Sequence, residues 1–422
     1  MLDRTLAPPS GEIVFGGLPA VNQQTLHSNT SLFWLQAGDQ PVVKIELVFQ
    51  SGIWFESKKS TSWLAIKMLV EGTQNKTAKE ITAGFEKLGA FLEIGAGFDD
   101  VSISVYGLRR NFDQVISLLN EIINEPVFPK REFEILKSNR KDQIILNDNK
   151  SNLLASKKLR EAIYGSSFPY GQALAATDIE AVSLEEVKAY YQERLFYQPK
   201  IYMAGDIDDQ LVSCLNSQLN IPKATPTTER PIEFQSDQHD IYVAKTGSMQ
   251  SSIRIAWLVP NKRSEDYFNY QIANSLLGGY FGSRLMKNIR EEKGYTYGIH
   301  AYPVHLKHSS FGMIAGDVVA THTQDTFTEI KSEIDKLLNE PIPTEEVEVL
   351  TNYLAGSFLA SINTPFQLMD KFKKIEEADL DDAYYDRYFD ALRTIDENQI
   401  KTAIEKHFNP AAAYTTIVGL NQ

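Results

Sequence analysis

Residues 61–73 place three side chains at the spacing that metal-binding helices use. The stretch reads TSWLAIKMLVEGT, and a helix would bring Trp63, Ile66 and Lys67 onto one face, at positions i, i+3 and i+4. Two histidines with this spacing can both bind one zinc ion. Here the positions hold an indole, an alkyl chain and an ammonium, and a protonated lysine has no lone pair to donate. The sequence therefore predicts a metal-type helix that lacks metal ligands.

The composition is that of a packed, acidic, globular chain. It has 422 residues, 43% of them hydrophobic and 23% charged, which fits about two domains of ~100–200 residues. The formal net charge of -13 disfavours a nucleic-acid partner, which needs a basic surface. No apolar run reaches the roughly 18–20 residues of a membrane helix, so we expect no membrane partner. The first residues contain no apolar segment after a basic start, so we expect a cytoplasmic protein.

Two pairs of similar segments indicate an internal duplication. The tripeptide Asn-Glu-Pro begins at Asn124 and again at Asn339, each time between two amphipathic segments of helical period. A capped helix, a proline and a strand-like run end at Gly205 and again at Gly419. The first pair is 215 positions apart and the second is 214 apart. Two matches in the same order at nearly the same offset predict two homologous domains in tandem.

The boundary between these domains is predicted from a segment without periodicity. Residues 220–240 are rich in proline, threonine and charge, which is typical of a linker. The predicted domains are therefore residues 1–219 and 241–422. Each half opens with strand-like segments and continues with helices. This order predicts an α+β fold in which each domain is a mostly antiparallel sheet covered by helices.

The residues that follow the metal-type helix carry a resemblance to a known family. The run KMLVEGTQNKTAKEITAGFEKLGAFLEIGAGFDDVSISVYGL resembles the start of the insulinase/pitrilysin family of metallopeptidases, the inverzincins. The zinc motif of that family is H-x-x-E-H, commonly followed by Met-Leu-x-x-Gly-Thr. The resemblance covers nearly the whole chain and is strongest to small members with two such domains. It implies a clamshell of four domains around a chamber, which small members complete by dimerising.

The resemblance also implies which residues stand at the zinc positions of the family. Aligning MLVEGT places Trp63 and Lys67 at the two histidines and Ile66 at the catalytic glutamate. The third ligand, a glutamate on a later helix, aligns with Gln143, beside Asp142. Loss of the whole set implies no zinc site and no activated water in this half. We therefore expect no cofactor in this chain.

A second signature of the family matches the second half. In SRLMKNIREEKGYTY, Arg290 and Tyr297 are seven positions apart, and the resemblance implies that this pair completes the active site. A phenol donor can stabilise the negative charge that builds on a carbonyl oxygen, and a guanidinium can hold a substrate carbonyl. The structural alternative is an Arg290 paired with Glu291 or another acid and a Tyr297 that is simply a strand aromatic.

Two classes of function remain open from the sequence. The first is a non-catalytic subunit of a heterodimeric zinc peptidase. Its homologous partner would carry the intact H-x-x-E-H motif and the zinc, and this chain would supply Arg290 and Tyr297 in trans for peptide substrates. The second is a catalytically silent scaffold or a peptide-binding homologue without any peptidase role. Under both hypotheses the chain alone is expected to be inactive.

Overall fold

Runs of alternating apolar and polar residues form the strands of two sheets. The computed structural model describes residues 13–226, 230–235 and 239–420. In the first half the strands are β1 (Asn22–Thr25), β2 (Ser31–Gln36), β3 (Val42–Phe49), β4 (Phe91–Ala96), β5 (Val101–Leu108) and β6 (Lys200–Gly205). In the second half they are β7 (Asp240–Ala244), β8 (Gln250–Leu258), β9 (Thr296–Leu306), β10 (Ser309–Val319) and β11 (Tyr414–Gly419).

Five strands of the first sheet share the topology of the second sheet, and β1 is an additional edge strand. The first sheet has the strand order β1-β2-β6-β3-β5-β4, and the second has the order β7-β11-β8-β10-β9. Each contains one parallel pair, β2 with β6 and β7 with β11, and the other neighbours are antiparallel. Strands β4 and β9 are equivalent edge strands. The predicted fold class is therefore confirmed: two α+β units with mostly antiparallel sheets.

Helices cover both sheets. In the first half they are α1 (Thr61–Met68), α2 (Ala78–Lys87), α3 (Phe112–Asn124), α4 (Lys130–Asp148), α5 (Ser151–Tyr164), α6 (Ala176–Glu180), α7 (Leu184–Glu193) and α8 (Asp209–Gln218). In the second half they are α9 (Tyr267–Asn274), α10 (Thr323–Asn339), α11 (Thr344–Ala360), α12 (Pro365–Glu376), α13 (Tyr384–Thr394) and α14 (Glu397–His407). Two π-helical segments, Ser275–Gly279 and Met286–Glu292, follow α9. Short 3-10 turns lie at Ile53–Phe55, Arg109–Asn111, Ala320–His322 and Pro410–Ala412. None of the helices in the described residues is long and apolar enough to cross a lipid bilayer.

The helix caps read from the sequence are present. The Ser183 hydroxyl accepts a bond from the Glu186 backbone N–H at the start of α7, and Asp396 does the same for Gln399 at α14. Each cap satisfies a backbone donor that has no partner within its helix. Within the predicted linker, residues 220–226 and 230–235 contain neither helix nor strand, while 227–229 and 236–238 lie outside the described residues.

One helix from each half packs on the sheet of the other half. Helix α5 packs on β8 and β11 of the second sheet, and α12 packs on β2 and β6 of the first sheet. Charged contacts fasten both helices: Arg254 on β8 donates to the Ser156 hydroxyl of α5 at 3.2 Å, and Lys200 on β6 pairs with Glu376 of α12 at 2.7 Å. The two helices start 214 positions apart, so the exchange follows the internal repeat.

Candidate functional site

A buried carboxylate supports the start of the metal-type helix α1. Glu56 is 7% exposed and accepts bonds from the Ser60 and Ser62 backbone N–H groups at 2.8 and 2.7 Å. It also accepts a bond from the Ser62 hydroxyl at 2.5 Å. These donors have no partner within the helix, so a negative charge is favourable there. Burial raises the pKa of Glu56, and the bonds from Ser62 and Ser60 oppose that rise.

The positions that the family resemblance gives to the zinc motif lie on α1 in three different environments. Ile66, at the position of the catalytic glutamate, is fully buried in the core of the first half. Trp63 and Lys67 are half-buried. The Lys67 ammonium donates to the Ile94 carbonyl on edge strand β4 at 2.7 Å. The side chain at the second histidine position is therefore tied to the sheet edge.

A residue that the sequence analysis did not single out contacts two of these positions. The guanidinium of Arg140, on α4, lies over the Trp63 ring with 4.5 Å between its central carbon and the ring centroid. Its Nη1 donates to the Gln143 side-chain oxygen at 3.1 Å. Trp63 and Gln143, which the alignment assigned to two zinc ligands, thus meet around a cation supplied by the chain. Arg140 precedes Gln143 by three residues, so helical spacing was the available signal.

The local charges do not favour a metal ion. Burial, and then the charge of Arg140, lowers the pKa of the Lys67 ammonium, while Glu71 opposes this shift. Burial also lowers the pKa of Arg140, and Glu56 opposes it. An indole, an alkyl chain, an ammonium and an amide do not fit a zinc site, and two cations repel a third. Throughout the described residues, no three His, Cys, Asp or Glu side chains form a group that could hold a metal.

The second half repeats the contact between helix and edge strand with a different side chain. Asn274, at the end of α9, donates from its amide nitrogen to the Ala301 carbonyl on edge strand β9 at 3.0 Å. Asn274 and Ala301 each lie 207 positions after Lys67 and Ile94. The two bonds are therefore equivalent within the repeat, and each ties a helix end to a sheet edge.

Arg290 lies on a firmly held π-helical segment. Met286 and Ile289 of this segment are buried, and the Asn288 amide donates to Glu333 at 2.7 Å. The Arg290 guanidinium lies over the ring of Phe281, 4.6 Å from its centroid. It forms no ion pair with any described residue, so the predicted structural alternative of a pair with Glu291 is absent from this conformation.

Tyr297 lies at an irregularity of edge strand β9. Thr296 pairs with Val318 and Ile299 pairs with Gly316, so β9 has one extra residue between these pairs. Such bulges are common beside active sites, where they re-aim a side chain. Tyr297 is 90% exposed, and its side chain makes no hydrogen bond within the described part of the chain. Gly294, with φ +69°, ends the preceding helix and sets the path from Arg290 to this strand.

The two groups of residues lie in different halves of the chain. Arg290 and Tyr297 belong to the second half, and Trp63, Ile66, Lys67 and Gln143 belong to the first. No hydrogen bond or ion pair between described residues joins one group to the other. Arg290 and Tyr297 present a cation and a phenol donor to the surface. Such groups can hold and polarise a carbonyl that another molecule brings to them.

Family models and known structures match this chain over most of its length. The model of "Insulinase (Peptidase family M16)" matches residues 34–178, and that of "Peptidase M16 inactive domain" matches residues 181–354. A crystal structure of a peptidase M16 inactive domain from Pseudomonas fluorescens superimposes with a TM-score of 0.84 at 23% identity. That comparison covers 95% of this chain and 98% of the other. A protease structure from Helicobacter pylori gives a TM-score of 0.83 at 16% identity, over 95% and 100%.

Curated relatives are named as zinc proteases or as a non-peptidase homolog. The "Non-peptidase homolog YmxG" of Helicobacter pylori is 23% identical over 357 residues, 82% of each chain. The "Uncharacterized zinc protease YmxG" of Bacillus subtilis is 21% identical over 317 residues, 73% of this chain and 76% of the relative. The second family match begins at residue 181, before the predicted linker, so the domain boundaries stay a prediction. With two domain models of one family matched in sequence order, this chain belongs to the insulinase family, peptidase family M16.

Proposed function

We propose that this chain is the non-catalytic subunit of a two-chain zinc peptidase. A homologous partner with an intact H-x-x-E-H motif holds the zinc, and this chain supplies Arg290 and Tyr297 to the active site of that partner. The substrates are peptides or small unfolded proteins. The two chains together form the chamber in which a peptide is cleaved.

The observation that carries this proposal is the placement of Tyr297. A tyrosine that only packs in a strand buries its ring, whereas Tyr297 is 90% exposed at a bulge of an edge strand. Its hydroxyl has no hydrogen-bond partner among the described residues, so it is free to donate to a group outside the chain. Among the described residues, the Arg290 guanidinium lies over the Phe281 ring and has no ion-pair partner, so its donors are available to another acceptor.

The first half of the chain also supports the role of a non-catalytic subunit. Ile66 is in the core, and Arg140 lies among the remaining positions of the lost zinc motif. The side chains at these positions therefore supply neither a general base nor metal ligands. A chain with this first half and an exposed Arg290 and Tyr297 is complementary to a partner that has the zinc motif.

A second candidate function follows from one relative. The Helicobacter pylori relative is named a non-peptidase homolog. Under this alternative the present chain is a catalytically silent scaffold or a peptide-binding protein. Arg290 and Tyr297 would then have no catalytic task.

An assay of the separate and mixed chains distinguishes these functions. A quenched fluorescent peptide is incubated, with zinc added, with this chain, with a homologous H-x-x-E-H chain from the same organism, and with both. We expect cleavage only by the mixture. Cleavage by the homologous chain alone, unchanged on mixing, would favour the scaffold. Cleavage by this chain alone would contradict both functions.

A further inference from the structure

Arg140 contacts two of the residues that stand at the zinc positions of the family motif, Trp63 and Gln143. Its guanidinium stacks on Trp63 of α1 and donates to Gln143 of its own helix α4. The charge of Arg140 also acts on Lys67, since the two cations repel each other. In a zinc-binding half of such a protein, the metal ion would connect the same two helices. Here the Arg140 side chain connects helices α1 and α4.

A carboxylate balances the charge of Arg140. Glu56, buried at the N-terminus of α1, is the acidic group that acts on the guanidinium. The Nε atom of Arg140 is buried without a hydrogen-bond partner among the described residues. The guanidinium is therefore held by the Trp63 ring and by its bond to Gln143.

We propose that the Arg140 guanidinium takes the place of the metal ion in this half. It joins α1 to α4, and it keeps divalent cations out of the space between them. This inference does not depend on the proposed partner, because it concerns the interior of this chain alone. On this inference, the first half does not bind zinc because the Arg140 charge repels the ion, as well as because the ligands are missing.

The exclusion follows from the chemistry of arginine. A guanidinium keeps its proton at every physiological pH, and it offers donors where a metal needs lone pairs. A doubly charged ion a few ångströms from it meets strong repulsion that the surrounding protein only partly screens. Restoring the ligands beside an intact Arg140 is therefore not enough to restore zinc binding. Removing the charge as well should open the site.

Zinc binding by restored variants tests this exclusion. The ligand-restored variant carries Trp63→His, Lys67→His and Gln143→Glu. It is compared with versions that add Arg140→Met, or Arg131→Met as an exposed charge control on the same helix. Zinc is measured by titration calorimetry and by metal content after gel filtration. If the Arg140→Met version does not fold, Arg140→Gln replaces it.

We expect about one zinc per chain only when Arg140 is replaced. The affinity should be at least about 100-fold weaker in the two versions that keep Arg140. Equal zinc binding with and without Arg140 would overturn the exclusion. Failure of both the Arg140→Met and the Arg140→Gln versions to bind zinc would overturn it too, since Arg140 would then not be the obstacle.

Thermal unfolding tests separately whether Arg140 joins α1 to α4. In the otherwise unchanged chain, Arg140→Met should lower the midpoint of thermal unfolding by several degrees more than Arg131→Met. Arg140→Lys keeps the charge but loses the planar fork, and should lie between them. Equal midpoints for the Arg140→Met and Arg131→Met variants would show that Arg140 does not join α1 to α4.

Discussion

The hydroxyl of Tyr297 offers the sharpest test of the proposed function. Tyr297→Phe removes one oxygen atom from a side chain that is 90% exposed and has no hydrogen bond within the described residues. A surface change of this kind alters the free energy of unfolding by no more than about 0.5 kcal/mol. The variant should therefore fold, unfold at the same temperature as the unchanged chain, and assemble normally.

The expected effect on turnover is much larger. A donor aimed at the oxygen that becomes negative in the transition state contributes about 2.7–4 kcal/mol, or roughly 10²–10³-fold in kcat. The bond strengthens as charge develops, so most of the loss should appear in kcat and little in KM. Tyr297→Phe should thus reduce the kcat of the mixed chains at least about 100-fold.

Tyr302→Phe provides the matched control. Tyr302 lies on the same strand, five positions further on, and is 41% exposed. The assay measures kcat and KM of each variant mixed with an excess of the zinc-motif chain, and calorimetry measures the affinity between the chains. An unchanged kcat for Tyr297→Phe would refute the catalytic role. An equal loss for Tyr302→Phe, or a loss explained by weaker assembly, would refute it as well.

Three further predictions concern stability. Glu56→Ala should lower the free energy of unfolding by about 3 kcal/mol, because two backbone N–H groups and a hydroxyl lose their acceptor. Urea titration should show a far smaller loss for exposed Glu86→Ala, and similar losses would contradict this role. Burial raises the pKa of Glu377 to about 7, so the folded chain holds that proton more tightly than the unfolded chain. The protein should lose stability, by roughly 1 kcal/mol for this partly exposed group, as pH rises from about 4.5 to 7. Glu377→Gln should flatten this dependence in urea titrations, and an unchanged slope would exclude Glu377 as its source. Finally, residues 1–219 expressed alone should not unfold cooperatively, because α5 loses the sheet that it covers. A cooperative transition at the midpoint of the full chain would disprove this.

Much of the fold was predictable because the signals are local. The segments VVKIELVF and VSISVYGL alternate between apolar and polar residues, and they form the antiparallel neighbours β3 and β5. Capping residues such as Ser183 mark helix starts by chemistry confined to one turn. The nearly constant offset between the repeated segments then indicated that the second half has the same kinds of element as the first half. Each of these features depends on residues close together in the sequence.

The exchange of α5 and α12 was not predictable from such signals. An amphipathic helix shows which of its faces is buried, but it does not show which sheet covers that face. The apolar residues Leu159 and Ile163 of α5 pack with Phe311 and Met313, which lie about 150 positions further along the chain. No local pattern encodes that pairing. It results from the arrangement of two homologous units around each other.

At the candidate site, alignment gave the positions of the family's zinc motif but not the arginine that contacts them. Trp63 and Gln143 were identified from their positions in the alignment. For Arg140 the sequence shows only that it lies about one helical turn before Gln143. Glu56 precedes α1 in an irregular segment and has no periodic signal at all. Its role depends on the backbone folding so that Ser60 and Ser62 point towards it. Residues that support a site from outside its helix are found only when the chain is folded.

Lys67 and Asn274 form equivalent hydrogen bonds in the two halves of the chain. Both donate from a helix end to a carbonyl of an edge strand, although one is a charged amine and the other a neutral amide. Both halves therefore have a hydrogen bond from a helix end to the edge strand, although different side chains form this bond. In the second half this bond holds β9 at Ala301, four residues after Tyr297. The Asn274 bond thus helps to fix the strand from which Tyr297 projects.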